Sequence, residues 1–115
     1  MKLTEVLQMT IAKLGANYNS TDSTVLENIV KEVIIQASFI SNRDISIDND
    51  AKDNNLKLLS PEIMDAAIIA YENRGVENVK SQSSLGESNT FVDYIEKLRN
   101  DIIKNGKRIL RWVNN

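Results

Sequence analysis

The chain has no cysteine and no histidine among its 115 residues. Without cysteine there is no disulfide and no thiolate nucleophile. Without histidine there is no imidazole acid–base group, and the ordinary zinc ligand sets are gone as well. No apolar run approaches the ~20 residues that a membrane helix needs. The run Val33-Ile34-Ile35 is cut by Gln36. The start Met1-Lys2-Leu3-Thr4-Glu5 is not followed by an apolar stretch, so a secretory signal is not expected and a soluble protein made in a cytoplasm is. No Gly-rich phosphate loop occurs: Gly75 and Gly86 lie far apart, and no Gly-Lys-Ser or Gly-Lys-Thr is found. Internal repeats are absent too. These absences close most common enzyme mechanisms. They favour a structural or binding protein with no catalytic residue, no metal and no cofactor.

What is present fits one globular domain. Hydrophobic residues make up 42% and charged residues 26%, near the averages for folded proteins. A chain this short has a modest core, so burial in an oligomer would help it. The net charge of −2 is unevenly spread. Residues 1–90 carry eight Lys/Arg against thirteen Asp/Glu, whereas residues 91–115 carry six against three. After Asp101 every charged side chain is a cation: Lys104, Lys107, Arg108 and Arg111. A basic tail on an acidic body suggests a docking segment for something acidic. The same cations would also offset the dipole of a last helix.

Periodicity predicts four helices. Leu3, Val6, Leu7, Ile11 and Leu14 mark the first, with Gly15 as its stop. A polar loop over 17–23 follows. The second helix is expected to begin near Asp22–Thr24, where Thr24 and Glu27 can form a capping box, and to end near Asn42. Its apolar face is wide (Val25, Leu26, Ile29, Val30, Val33, Ile34, Ala37, Ile40), which suggests burial against more than one neighbour. Ser60-Pro61-Glu62 reads as the start of a third helix: a hydroxyl cap, proline at the first helical position, an acid in the first turn. Ile63, Met64, Ala67, Ile68 and Tyr71 supply its inner face, and Gly75 its left-handed cap. The last helix is expected from Asn89 or Thr90, with Thr90 and Asp93 at capping-box spacing and Phe91, Ile95, Leu98 and Ile102 as its stripe.

Between the second and third helices, residues 43–59 form an acidic, Asn-rich loop. Asp48, Asp50 and Asp53 invite a calcium reading, but the EF-hand positions that require Asp or Asn, Gly and Glu hold Lys52, Asp53 and Leu59. A solvated loop is expected instead. Between the third and last helices, Val79, Ser81, Ser83 and Leu85 alternate with Lys80, Gln82 and Ser84, and Gly86 permits a turn. That pattern reads as an extended segment or weak hairpin able to pair with another chain, or as a surface loop. Beyond Gly106, the cluster Ile109, Leu110, Trp112 and Val113 sits among cations. Trp112, the only tryptophan, either anchors a partner or folds onto the chain's own core. The expected fold is therefore mostly α: a small bundle of about four helices with a short extended segment before the last. The body would span 1–103 and a basic docking segment 104–115.

The run from Tyr71 to Ser88 (Tyr-Glu-Asn-Arg-Gly, a Ser-rich stretch, then Gly-x-Ser), followed by an aromatic-led helix with a basic end, resembles the small head–tail connector proteins of tailed bacteriophages, also called head-completion or adaptor proteins. The resemblance extends to the order of elements over nearly the full chain. It implies a purely structural role in the neck of the virion, at the junction of capsid and tail. Such proteins form a ring under the portal, matching its twelvefold symmetry, extend the DNA channel and give the next neck or tail-completion protein its docking surface. Carried onto this sequence, Val79, Lys80, Ser81, Gln82, Ser83, Ser84, Leu85 and Gly86 would pack between subunits or face the channel. Lys104, Lys107, Arg108, Arg111 and Trp112 would reach the portal. The partners implied are the portal, the next neck protein and other copies of the chain; DNA passes through without sequence-specific binding. The acidic loop 44–55 departs from the family pattern. The competing reading is a small DNA-packaging accessory or regulatory protein that binds nucleic acid through residues 102–115.

Overall fold

The computed structural model describes residues 1–48, 52–83 and 93–110, with backbone alone over 74–83. It is mostly helical, and no strand occurs among the described residues. Helix α1 spans Leu3–Leu14, α2 Ser23–Ser41, α3 Asn54–Ser83 and α4 Tyr94–Lys104, with two short 3-10 turns, Gly15–Asn17 and Ser20–Asp22, between α1 and α2. Helix α3 packs against each of the other three, and α2 also touches α4. The wide apolar face of α2 thus serves two neighbours.

The core follows the helical spacing of the sequence. Leu3, Val6 and Leu14 come from α1; Leu26, Val30, Val33, Ile34 and Ala37 from α2; Leu98 and Ile102 from α4. Helix α3 adds Leu56, Leu59, Ile63, Met64, Ala66, Ala67 and Tyr71. The Tyr71 hydroxyl donates to Asp22 Oδ2 (2.6 Å) and accepts from the Asn19 N–H (3.1 Å), so it pins the loop before α2 to α3. Its ring also meets Tyr18, with centroids 6.1 Å apart.

Several boundaries differ from expectation. Helix α2 starts at Ser23, within the expected 22–24, but a start continuous with the preceding 3-10 turn takes the place of the expected capping box at Thr24. Its C-terminal end is as expected: Asn42 is left-handed (φ 59°), and the Arg43 N–H reaches back to the Ser38 carbonyl at 3.3 Å. Helix α3 starts six residues before Ser60. Asp53 supplies its cap, with Oδ1 accepting from the Leu56 N–H at 3.0 Å while Oδ2 accepts from the Ser46 N–H at 2.8 Å. Met1 and Asp53 also exchange two main-chain bonds of 3.0 and 3.2 Å. Asp53, weighed above as a calcium ligand, is thus a helix cap that ties the loop to the N-terminus. Burial of Leu56 and Leu59 makes this earlier turn worth forming.

Pro61 therefore lies inside α3. Proline cannot donate to the Lys57 carbonyl and crowds it. The Ser60 hydroxyl donates to that carbonyl at 3.0 Å instead of capping the helix. Helix α3 also runs through Gly75 to Ser83, which corrects the expected stop and the expected extended conformation at Val79, Lys80, Ser81, Gln82 and Ser83. Glycine inside a helix costs only about 1 kcal/mol against alanine, and adding residues to an existing helix is far easier than starting one. Ser84, Leu85 and Gly86 lie outside the described residues. Helix α4 begins at Tyr94 because Asp93 is its cap, accepting from the Ile95 N–H at 2.9 Å; Asn89, Thr90 and Phe91 lie outside the described residues.

Candidate partner-docking surface

The basic C-terminal segment owes its position to the end of α4. Gly106 is left-handed (φ 70°), its N–H donates to the Ile103 carbonyl (3.1 Å), and the Lys107 N–H donates to the Ile102 carbonyl (3.0 Å). This paired closure is the Schellman arrangement, which favours glycine at that point. It turns the chain back across the end of α2 and the first half of α3. There the Ile109 N–H donates to the Ser41 carbonyl (2.8 Å), and Asn42 Nδ2 donates to the Ile109 carbonyl (2.8 Å). Arg43 Nε donates to the Lys107 carbonyl (2.8 Å), and its guanidinium also reaches Asn55 Oδ1 (3.3 Å).

Lys107 points inward. Its ammonium lies 2.9 Å from Glu62 Oε2 and 3.1 Å from Oε1, and it donates to the Leu58 carbonyl at 2.9 Å. Glu62 is 3% exposed and also accepts from Asn105 Nδ2 at 2.6 Å. A buried carboxylate is tolerated only when paired and hydrogen-bonded. Lys107 and Asn105 meet that need one residue after the proline. The Leu58 carbonyl belongs to the turn that Pro61 disturbs, so the same lysine supports the helix there. Lys107 was expected at a portal contact; in the isolated chain its charge is occupied within the body.

Arg108, the next residue, is exposed and has no polar partner among the described residues. The same is true of Lys104 and Arg99 on α4. Arg99 and Arg108 line a groove of about 240 Å³ with Gln36, Phe39 and Ile40 of α2. Phe39 is 73% exposed and Leu110 72%. Ile35, one turn before Phe39, and Ile103, one turn after Arg99, are also exposed apolar residues. Phe39 and Ile40 thus stand beside Arg99 and Arg108 on one face. Arg111 and Trp112 lie outside the described residues.

Of the residues named from sequence, Arg108 falls on this face. Arg99 and Phe39 were missed. The signal for Phe39 is its place four residues after Ile35 and outside the inner stripe of α2, a position where a large aromatic has no core to fill. Elsewhere, Lys97 and Asp101 form a 2.9 Å pair along α4. The hydrogen bond that the Lys97 ammonium donates to the Asp101 carboxylate holds its pKa above the ordinary value. No group of acidic side chains able to hold a metal ion occurs among the described residues. No helix among them is long and apolar enough to cross a membrane.

Compared with family models, curated proteins and solved structures, the chain matches none.

Proposed function

We propose that the chain is a structural assembly protein, a head–tail connector that forms a ring of about twelve copies below a phage portal and extends the DNA channel. It would act in the virion neck after assembly in the host cytoplasm. The observation that carries this reading is the C-terminal segment, held by Lys107, Asn42 and Arg43 so that Arg108 stands beside the exposed Phe39. A small helical body that fixes a basic, apolar-edged segment on its surface suits joining proteins together. The order of helices agrees with the resemblance drawn from Tyr71–Ser88, although Val79–Ser83 enter the proposal as helix rather than as a strand.

The test is co-assembly. Purified protein mixed with portal-bearing capsids should co-sediment, and electron microscopy should show a ring at the portal vertex. No co-sedimentation at any salt concentration rejects the reading. Lys104, Arg99 and Arg108, exposed and without a polar partner among the described residues, favour the second reading, a nucleic-acid-binding accessory protein. A mobility shift with non-specific duplex DNA that weakens steeply with salt would support that reading instead.

A further inference from the structure

We infer that the groove between α2 and α4 is a docking site for an acidic amphipathic helix of a partner protein, with Phe39 as its apolar anchor and Arg99 and Arg108 as its charge clamps. This holds whether or not the chain assembles into a ring.

The lining argues for that occupant. Phe39 and Ile40 of α2 supply the groove's apolar side, and Arg99 of α4 together with Arg108 supplies its cationic side. A trough between two packed helices, apolar on one side and charged on the other, is the kind of site into which a third, amphipathic helix lays residues spaced i, i+3 or i+4, and i+7. At about 240 Å³ the groove is smaller than the usual small-molecule site, and it suits one or two inserted side chains.

Charge selects the partner's sign. Both guanidinium groups lack a carboxylate partner among the described residues. The nearest acids along the two helices leave them unmet. Glu32 is engaged by Gln36 Nε2 at 3.1 Å, and Glu96, one turn before Arg99, makes no ion pair with it. Arginine also binds carboxylates in a two-pronged geometry that adds specificity to attraction. A nucleic acid strand fits less well. It needs a track of cations with stacking faces, and here aliphatic Ile35, Ile40 and Ile103 accompany a single aromatic ring, with Glu27 and Glu32 on the first half of α2.

The test uses the full chain, labelled with ¹⁵N, and three probes. The first is a synthetic peptide of about sixteen residues with Leu and Phe at i, i+4 and i+7 and Glu on the flanks. The second replaces each Glu with Lys. The third is single-stranded oligothymidylate. The acidic peptide should shift the amide resonances of 35–40, 99–103 and 108, and bind about tenfold or more tightly than its Lys counterpart. Phe39→Ser should weaken binding about tenfold or more with no loss of melting temperature, since the ring is already exposed. Arg99→Glu with Arg108→Glu should reverse the preference between the two peptides. The inference is overturned if the acidic peptide shifts nothing at millimolar concentration or shifts a different face. It is also overturned if oligothymidylate binds this face as tightly. Sedimentation adds one more refuting outcome: a dimer that Phe39→Ser dissociates would make a second copy the occupant.

Discussion

Replacing Lys107 with methionine separates a structural from a surface role for the basic segment. Methionine keeps the length and apolar stem of lysine and removes only the ammonium. Glu62 then keeps Asn105 as its donor and loses its charge partner, while the Leu58 carbonyl beside Pro61 loses a donor. Removing one partner of a fully buried ion pair costs about 3–5 kcal/mol. Lys107 is 22% exposed and Asn105 remains, so water and the amide soften the loss, and about 2–3 kcal/mol is expected. For a chain of this size that is a fall in melting temperature of roughly 8–15 °C. The assay is thermal and urea unfolding followed by circular dichroism. Arg108→Met is the control and should stay within about 0.5 kcal/mol of the parent. Adding Glu62→Leu to Lys107→Met should recover most of the loss, because an apolar pair needs no partner charge. If Lys107→Met matches Arg108→Met, the internal pairing contributes nothing and the reasoning fails. The same contacts bear on truncation. The apolar stripe of α4 ends at Ile102–Ile103, so the sequence alone suggests that removing residues 106–115 leaves the body folded and abolishes only its incorporation into particles. Their loss removes Lys107 and the Ile109 bonds to Ser41 and Asn42, and truncation should destabilise the body.

Three further outcomes are expected. Tyr71→Phe deletes the hydroxyl between Asp22 and Asn19 and should lower stability by about 1–2 kcal/mol in urea unfolding, since a partly buried donor is left unmet. Asp53→Ala removes both the α3 cap and the Ser46 contact and should cost about 1–2 kcal/mol, with hydrogen exchange quickening first at Leu56 and Lys57. Lys97→Gln should produce a small, salt-sensitive loss of stability. Because the Lys97 pKa is raised above 10.5 in the folded chain, that difference should be constant at neutral pH and fade only as the pH rises past 10.5; a difference that grows with alkaline pH would contradict the assignment.

Much of the fold was legible in local pattern. The inner stripes of α1, α2 and α4 recur every three or four residues, and burial on one side of a helix imposes that spacing. Gly15 and Asn42 mark helix ends because the chain there adopts positive φ, which glycine and asparagine tolerate. Ser60-Pro61-Glu62 misled for a physical reason. A helix-start signature records only what the local backbone can accept, and proline is acceptable inside a helix when the carbonyls it disturbs find other donors. Here the Lys57 carbonyl finds the Ser60 hydroxyl, and the neighbouring Leu58 carbonyl gains Lys107, 49 residues away. The candidate docking face was half visible. The excess of cations after Asp101 is a property of composition, and it marked Arg108 as readily as Lys107. Which of the two turns inward depended on Glu62, a residue on another helix that looked like a first-turn acid. The pairing of Phe39 with Arg99 likewise depended on α2 and α4 lying side by side. Periodicity within one helix says which residues share a face. What lies opposite that face, and so which charges are neutralised and which stay exposed, is decided only when distant segments pack.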